Sequence, residues 1–314
     1  MSEKKAPYVT LDVFSSKRFK GNPVAIVKVA DGKLSQEQKQ KIAKEFNFSE
    51  TVFFQPGNGD EPPRVYIFTP VNEMDFAGHP VIGAGHFLFR QMLANGPSLR
   101  NDMSLITNAG PVPITYDPEN EVVSAEVPHN IHQHQQGATL AHLLPVQASF
   151  KTASDLQGVP KKSPVVSCVK GVTYALVDLT ERADLFANIA PGGSPALDLD
   201  EGWKPSFTGV MYYRNGGSRV EEDTVVWNLR VRMIAIDLED PACGSGGCSL
   251  AAHLALSNAQ QGRRHRFYID QGIEMDRESH LILDVLLDED RKRVSTIKLA
   301  GQAAFVAEGS IFLE

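Results

Sequence analysis

A glycine-rich turn that runs directly into a small, apolar helix occurs twice in this chain. The later copy spans Glu239–Leu256, and the earlier one spans Asp75–Arg90, where Pro80 suits the first turn of a helix. Glycine lets a ligand approach the backbone, and the amide groups at the start of a helix attract anions. The repetition indicates two halves of one design, and we expect both helix ends to face one anion across a cleft.

The later turn combines titratable, hydroxyl and glycine residues within a few positions. They are Asp240, Cys243, Gly244, Ser245 and Gly246. These groups suit the binding of a carboxylate substrate. They suit equally well a plain turn that caps a buried helix, and this turn alone does not decide between the two interpretations.

Composition limits the classes of partner. The 314 residues are 42% hydrophobic, which suits one large or two medium globular domains, and the net charge of −7 argues against a nucleic-acid or anionic-membrane partner. No apolar run is long enough to span a membrane, and the first residues lack the hydrophobic segment of a secretory signal. We therefore expect a cytoplasmic protein.

The chain has three cysteines and nine histidines. The three cysteines, at positions 168, 243 and 248, do not make a disulfide framework, and Cys168 lies in a strand pattern where a reduced core thiol is expected. The segment Pro128–Gly137 carries three histidines and is the best candidate for a linker. Because no nearby carboxylate or cysteine completes a ligand set, we predict no metal site there.

Three polar residues allow two interpretations each. Glu50 stands in the apolar strand pattern Asn47–Phe54, where alternation favours the solvent face; the alternative is a desolvated acid whose raised pKa suits proton transfer. His79 precedes the earlier helix and is either structural or a proton donor and acceptor kept neutral by the helix dipole. Asn22, in the turn Phe19–Pro23, is either a turn residue or a substrate ligand.

Short segments spread over nearly the whole chain form an ordered set. They are Asp12–Phe14 with Lys20–Ala25, Ser49–Phe53, Phe76–Pro80, Glu239–Ser245, Asp270–Met275 and Val306–Gly309. No single segment is diagnostic, but in this order they resemble the PhzF-like isomerases of phenazine biosynthesis, which share the fold of diaminopimelate epimerase.

The resemblance implies an α+β fold of two similar epimerase-like domains related by a pseudo-twofold axis. Each domain is a mostly antiparallel sheet wrapped around a central helix. We expect the domains to span residues 1–128 and 129–314, with the last strand crossing back to the first domain, the active site between them, and a homodimer as the assembly.

The resemblance also implies the chemistry of an isomerase that needs neither a metal nor an organic cofactor. Glu50 takes the position of the family's proton shuttle, so the resemblance favours the catalytic interpretation of this acid. The other catalytic positions fall on His79, Asp240 and Ser245, and Asn22 matches a ligand position. The amides around Gly78, Gly244 and Gly246 then hold a small carboxylate substrate.

Cys243 departs from the family, in which threonine is common at this position. The turn resembles the second catalytic-cysteine turn of diaminopimelate epimerase, and a thiol at a helix N-terminus tends to have a lowered pKa. Because Ala77 occupies the matching first position, the two-thiol mechanism is absent. A tolerated small residue is favoured over a Glu50/Cys243 epimerase, and a third alternative is a small-ligand-binding protein without turnover.

Overall fold

The computed structural model describes residues 4–29, 34–58, 61–94, 101–152 and 156–313. These residues form two compact units. The first contains the described residues up to Val127 together with those from Ala300 onward, and the second is Pro128–Leu299. The end of the chain thus belongs to the same unit as its beginning.

Strands outnumber helices in both units. The strands are β1 Lys5–Val13, β2 Asn22–Lys28, β3 Glu50–Gln55, β4 Arg64–Phe68, β5 Glu73–Met74, β6 Asp102–Thr107, β7 Gly110–Asp117, β8 Val122–Glu126, β9 His132–Gln133, β10 Ala138–Thr139, β11 Lys162–Ser163, β12 Val165–Val169, β13 Val172–Asp178, β14 Phe207–Glu221, β15 Thr224–Ala235, β16 Leu238–Asp240, β17 Arg264–Gln271, β18 Ser279–Leu287, β19 Val294–Gly301 and β20 Ala303–Phe312. The α-helices are α1 Gln36–Phe46, α2 Gly78–Ala94, α3 Leu140–Leu143, α4 Ala148–Thr152, α5 Ala183–Ala187 and α6 Gly244–Ser257.

In the first unit a mostly antiparallel sheet surrounds helix α2. β1 pairs antiparallel with β2 and with β20, and β3 continues the sheet parallel to β2. Helix α2 contacts β1, β2, β3, β7, β8 and β20, and its residues from His79 to Phe89 are buried. A Cβ atom at Gly83 would lie 2.9 Å from Cγ1 of Val24, so glycine inside this helix serves the close packing of the helix on the sheet.

The opposite face of this sheet is covered by helix α1. Ser35 caps the helix through a capping box with Gln38. Ile42 and Ala43 of the helix join a cluster that includes Phe53 of β3. Strand β3 is therefore covered on both faces, and this determines how far Glu50, its first residue, is exposed to solvent.

The second unit repeats the plan around helix α6. β13 and β14 pair parallel, β14 and β15 antiparallel, β15 and β17 parallel, and β17 and β18 antiparallel. Helix α6 contacts β12, β13, β14, β17 and β18, while α3, α4 and α5 cover part of the other face in a separate apolar cluster. This sheet-dominated architecture confirms the α+β class with a central helix in each unit. Within the described residues, no helix is long and apolar enough to cross a membrane.

Candidate active site

Glu50 begins strand β3 in the first unit, beside Val24 of the parallel strand β2. Its side chain is 17% exposed. The expectation from strand alternation, that it faces solvent, is wrong because helices cover both faces of β3. Burial raises the pKa of Glu50 to about 6, and a hydrogen bond from the Ser49 side chain opposes part of this rise.

His79 is the second residue of helix α2 and lies next to this acid. Its Nδ1 atom is 3.3 Å from Oε2 of Glu50, and its side chain is 7% exposed. The Oε2 atom is itself buried and accepts no hydrogen bond from the residues that the structure describes. A carboxyl group that titrates near neutral pH thus lies at ion-pair distance from an imidazole, in surroundings largely shielded from water.

Asn22 and Ser49 complete this group. Asn22 starts β2 and is 2% exposed, and the hydroxyl of Ser49 donates to its Oδ1 atom at 3.5 Å. The turn before β2 therefore delivers an amide to the same neighbourhood as Glu50. Gly78 begins α2 directly before His79, so four residues singled out in the sequence are brought together in this unit.

The second group lies at the start of helix α6. Asp240 ends β16, and its Oδ1 atom accepts a hydrogen bond from the Ala242 amide at 2.9 Å. Cys243 is the N-cap residue, and its Sγ atom accepts from the amide of Gly246 at 3.4 Å. Gly244 opens the helix, followed by Ser245.

Tyr174 of β13 belongs to this group, although the sequence analysis did not single it out. Its Oη atom lies 2.7 Å from Oγ of Ser245 and 3.3 Å from Sγ of Cys243, and the residue is 2% exposed. Burial holds its pKa well above the usual range, so the phenol is neutral. A tyrosine in an apolar strand carries no local sign of this role, because its partners lie about 70 residues further along the chain.

The thiol of Cys243 differs from the expectation for a helix N-terminus. Burial, followed by the negative charge of Asp240, raises its pKa to about 12, although hydrogen bonds from Tyr174, Gly246 and Ser245 act in the opposite direction. Desolvation exceeds the stabilisation that the helix end offers to a thiolate. The expectation of a lowered pKa was wrong, and Cys243 is a neutral thiol near pH 7.

Gln271 and Gly272 contact the backbone of the loop that contains Asp240 and Cys243. Gln271 is 1% exposed; its Nε2 atom donates to the Asp240 carbonyl at 2.7 Å, and its Oε1 atom accepts from the Cys243 amide at 3.2 Å. Gly272 has a φ of +74°, and a Cβ atom there would collide with the carbonyl oxygens of Pro241 and Arg277. This segment therefore holds the backbone of the loop in place.

A buried ion pair anchors the strand that leads into the loop. Arg232 and Glu239 form a two-pronged contact, with Nε to Oε1 at 2.8 Å and Nη2 to Oε2 at 2.6 Å. Their side chains are 5% and 6% exposed. Nη1 of Arg232 also donates to the carbonyls of Phe186 and Ala187, so the charges are well satisfied.

The histidine segment after residue 128 has a carboxylate partner that the sequence analysis overlooked. One ligand atom from each of His132, His134 and Asp200 lies within 4.8 Å of the others. The premise that no carboxylate accompanies these histidines was wrong, since the loop after α5 brings Asp200 to them from more than 60 positions away.

Comparison with known proteins places the chain in a family. The model of the phenazine biosynthesis-like protein family (PhzC-PhzF) matches residues 11–309. The trans-2,3-dihydro-3-hydroxyanthranilate isomerase of Pseudomonas aeruginosa is 30% identical over 309 residues, which cover 98% of this chain and 99% of the relative. The antisense-enhancing sequence 1 protein of Schizosaccharomyces pombe is 28% identical, with 96% of this chain and 97% of the relative covered.

Solved structures agree with this placement at the level of the fold. A PhzF-family protein of Bacillus anthracis matches with a TM-score of 0.76 at 20% identity, covering 99% of this chain and 100% of that one. A hydroxyproline epimerase of Agrobacterium vitis matches with a TM-score of 0.54 at 13% identity, covering 99% and 94%. The chain therefore belongs to the phenazine biosynthesis-like protein family and is an isomerase.

Proposed function

We propose that this isomerase moves a proton on a small carboxylate substrate without a cofactor, with Glu50 as the general acid and base. The observation that carries the proposal is the buried Glu50 carboxyl, whose pKa is raised to about 6 and which lies 3.3 Å from Nδ1 of His79. A group with a pKa near the working pH both accepts and returns a proton efficiently.

The proposed reaction conserves one proton. The Glu50 carboxylate takes an acidic proton from a substrate carbon, and the electron pair left behind delocalises into the conjugated system of the substrate. The protonated acid then delivers this proton, or one exchanged with solvent, to a second carbon. His79 holds a polar group of the substrate and stabilises charge beside the acid.

The proposal also gives roles to groups of the second unit, as the family resemblance implies. Asp240 and Ser245 hold polar groups of the substrate and relay protons, and the neutral Tyr174 phenol orients the Ser245 hydroxyl at 2.7 Å. The amides at Gly78, Gly244 and Gly246 bind the carboxylate at helix N-termini. Asn22 contributes a side-chain amide.

The named relatives indicate the substrate class. The Pseudomonas aeruginosa relative is named for an isomerisation of a dihydro-hydroxyanthranilate, and a structural neighbour for an epimerisation of hydroxyproline. Both substrates are cyclic amino carboxylates. We propose a substrate of this class, with a C–H bond acidified by a neighbouring unsaturated or carboxylate group.

An epimerase that pairs Glu50 with Cys243 is the weaker candidate. It needs a thiolate on one face of the substrate, whereas burial holds the pKa of Cys243 at about 12. A binding protein without turnover remains the contrasting class. It has no need of a carboxyl group whose ionised form is destabilised by burial.

Proton exchange measured by NMR in deuterated buffer tests the proposal. Cyclic amino carboxylates are screened for loss of a C–H signal, and thermal shift records binding separately. We expect exchange that falls at least about 100-fold in Glu50→Gln. The matched control is Glu45→Gln, which alters an exposed acid of helix α1 and leaves exchange unchanged.

Three outcomes separate the candidates. Exchange lost in Glu50→Gln and kept in Cys243→Ala supports the isomerase. Exchange lost in both variants supports the two-base epimerase. Ligands that stabilise the protein without exchanging any proton support the binding protein and contradict the proposal.

We further propose that the protein works in the cytoplasm as a homodimer. Family membership supports this assembly. Light scattering coupled to size-exclusion chromatography measures the mass directly, and a mass of 34.4 kDa, that of one chain, would contradict it.

A further inference from the structure

We propose that His132, His134 and Asp200 form a binding site for one divalent transition-metal ion of the zinc type. The three residues lie in the second unit, and their ligand atoms lie within 4.8 Å of one another. Two imidazoles and one carboxylate are a ligand set that zinc, nickel and copper accept. This site is separate from the residues of the proposed reaction.

The pair of His132 and Asp200 already has nearly the separation that a shared metal ion requires. Nε2 of His132 is 2.8 Å from Oδ2 of Asp200. Two ligands bonded to one tetrahedral zinc ion at about 2.0 to 2.2 Å lie roughly 3.3 to 3.5 Å apart. An ion therefore replaces the proton shared by these atoms after a small outward movement. Their side chains are 33% and 22% exposed, which leaves access from solvent.

His134 is held in the tautomer that a third ligand needs. Its Nε2 atom lies 2.9 Å from Oγ of Ser167, while its Nδ1 atom accepts from the amide of Asp200 at 3.1 Å. Nδ1 therefore carries the lone pair, 3.8 Å from Oδ2 of Asp200. Metal-bound histidines commonly have their other ring nitrogen fixed in this way by a polar partner. When the ion binds, Nδ1 of His134 gives up its hydrogen bond with the Asp200 amide and bonds to the ion instead.

Neighbouring groups hold the imidazole ring of His132 and the carboxylate of Asp200 in place. Trp203 stacks on His132 with ring centroids 4.4 Å apart and planes 11° from parallel. The Gln135 amide donates to both carboxylate oxygens of Asp200, at 3.3 and 3.4 Å. The ion meets a site that needs little reorganisation.

A bound ion joins two segments that are distant in sequence. His132 lies in strand β9, whereas Asp200 and Trp203 lie in the loop that leads from α5 to β14. The ion thereby cross-links the two segments and stabilises the folded second unit, because the unfolded chain does not hold these ligands together.

The fluorescence of Trp203 can report metal binding directly. The chain has two tryptophans, so in Trp227→Phe the remaining indole is the one stacked on His132. We expect Cu²⁺ or Ni²⁺ to quench its fluorescence with an endpoint of one ion per chain. Zn²⁺, tested on the unaltered tag-free protein by calorimetry and thermal unfolding, is expected to bind with the same stoichiometry and to raise Tm.

Substitutions of the two partly exposed ligands, His132 and Asp200, test the assignment. We expect His132→Asn and Asp200→Asn each to weaken Zn²⁺ binding by at least about tenfold and to remove the metal-dependent rise in Tm. The matched control is His280→Asn, which removes an exposed histidine whose Nδ1 lies 2.7 Å from Asp270. This control keeps the binding.

Circular dichroism of each variant without metal shows whether it folds. If either ligand variant fails to fold, the Trp203 quenching in Trp227→Phe and the one-ion endpoint still decide. The proposal is overturned if the unaltered protein binds no ion stoichiometrically, or if folded His132→Asn and Asp200→Asn bind Zn²⁺ as tightly as His280→Asn.

Discussion

Oε2 of Glu50 lies 3.3 Å from Nδ1 of His79, at the start of the helix around which the first unit is built. The carboxyl begins a strand that is covered by α1 on one face and by α2 on the other. Its pKa is raised by this desolvation, so the ionised form costs free energy in the folded protein. That cost is measurable apart from any assay of activity.

Glu50→Gln is expected to stabilise the protein above pH 6 and to change its stability little near pH 4. The folded pKa is about 6 against a reference of 4.5. Because the folded pKa is the higher one, the contribution of this acid to stability is complete below pH 4.5 and is lost as the pH rises through 6. The loss amounts to about 2 kcal/mol at full ionisation. Denaturant unfolding at both pH values measures it, and a pH-independent difference between the two proteins contradicts the prediction.

The rate of proton exchange is expected to fall on the acidic side with an apparent pKa of about 6, the value of Glu50 in the folded protein. The base must be ionised to take a proton, so protonation of the free enzyme removes activity. A profile of kcat/KM from pH 4.5 to 8.5 measures this. An acidic limb near the ordinary pKa of glutamate would show that another carboxylate is the base.

Tyr174→Phe is expected to lower both stability and activity. The change removes the hydroxyl that lies 2.7 Å from Oγ of Ser245 and 3.3 Å from Sγ of Cys243 in a buried site. We expect a loss of about 1 to 2 kcal/mol in the free energy of unfolding and a lower kcat, since the Ser245 hydroxyl loses its orientation. Tyr66→Phe is the control, because its hydroxyl contacts Gln55 at 3.3 Å in a part-buried position. Equal effects of the two changes would refute a special role for Tyr174.

Gly272→Ala and Gly171→Ala separate backbone strain from collision. Both glycines have positive φ, +74° and +88°, but only at Gly272 does an added Cβ atom meet the carbonyl oxygens of Pro241 and Arg277. Gly171→Ala should cost about 1 kcal/mol, the penalty of the left-handed conformation alone. Gly272→Ala should cost clearly more and should also reduce activity through the loop at Asp240. Urea unfolding of both variants checks the difference, and similar losses would mean that the loop relaxes freely.

Glu239→Gln is expected to cost about 3 to 5 kcal/mol, because it leaves the buried Arg232 without its counter-charge. The matched control is Glu221→Gln, whose contact with Arg219 has the same closest distance of 2.6 Å but whose side chains are both 54% exposed. The exposed pair should contribute less than about 1 kcal/mol. Thermal and denaturant unfolding compare the two. A small effect at Glu239 would show that water reaches the pair.

Local sequence patterns predicted the two turn-and-helix segments and the family, but not the environments of individual groups. Ser35 and Gln38, three positions apart, match the local pattern of a helix start, and both capping hydrogen bonds are present at α1. Alternation along β3 misplaced Glu50, because the pattern cannot reveal that the strand is covered twice. The family resemblance supplied the catalytic interpretation of this acid, for which the buried carboxyl is independent physical support.

Residues close together in the chain were enough to predict the two turn-and-helix segments and the family resemblance, because these depend on local patterns. The folded chain establishes which distant groups meet. It placed Tyr174 against Ser245, brought Asp200 to His132, and raised the pKa of Cys243 against the tendency of a helix N-terminus. Desolvation and long-range hydrogen bonds depend on neighbours from other strands and loops, and no local pattern specifies them.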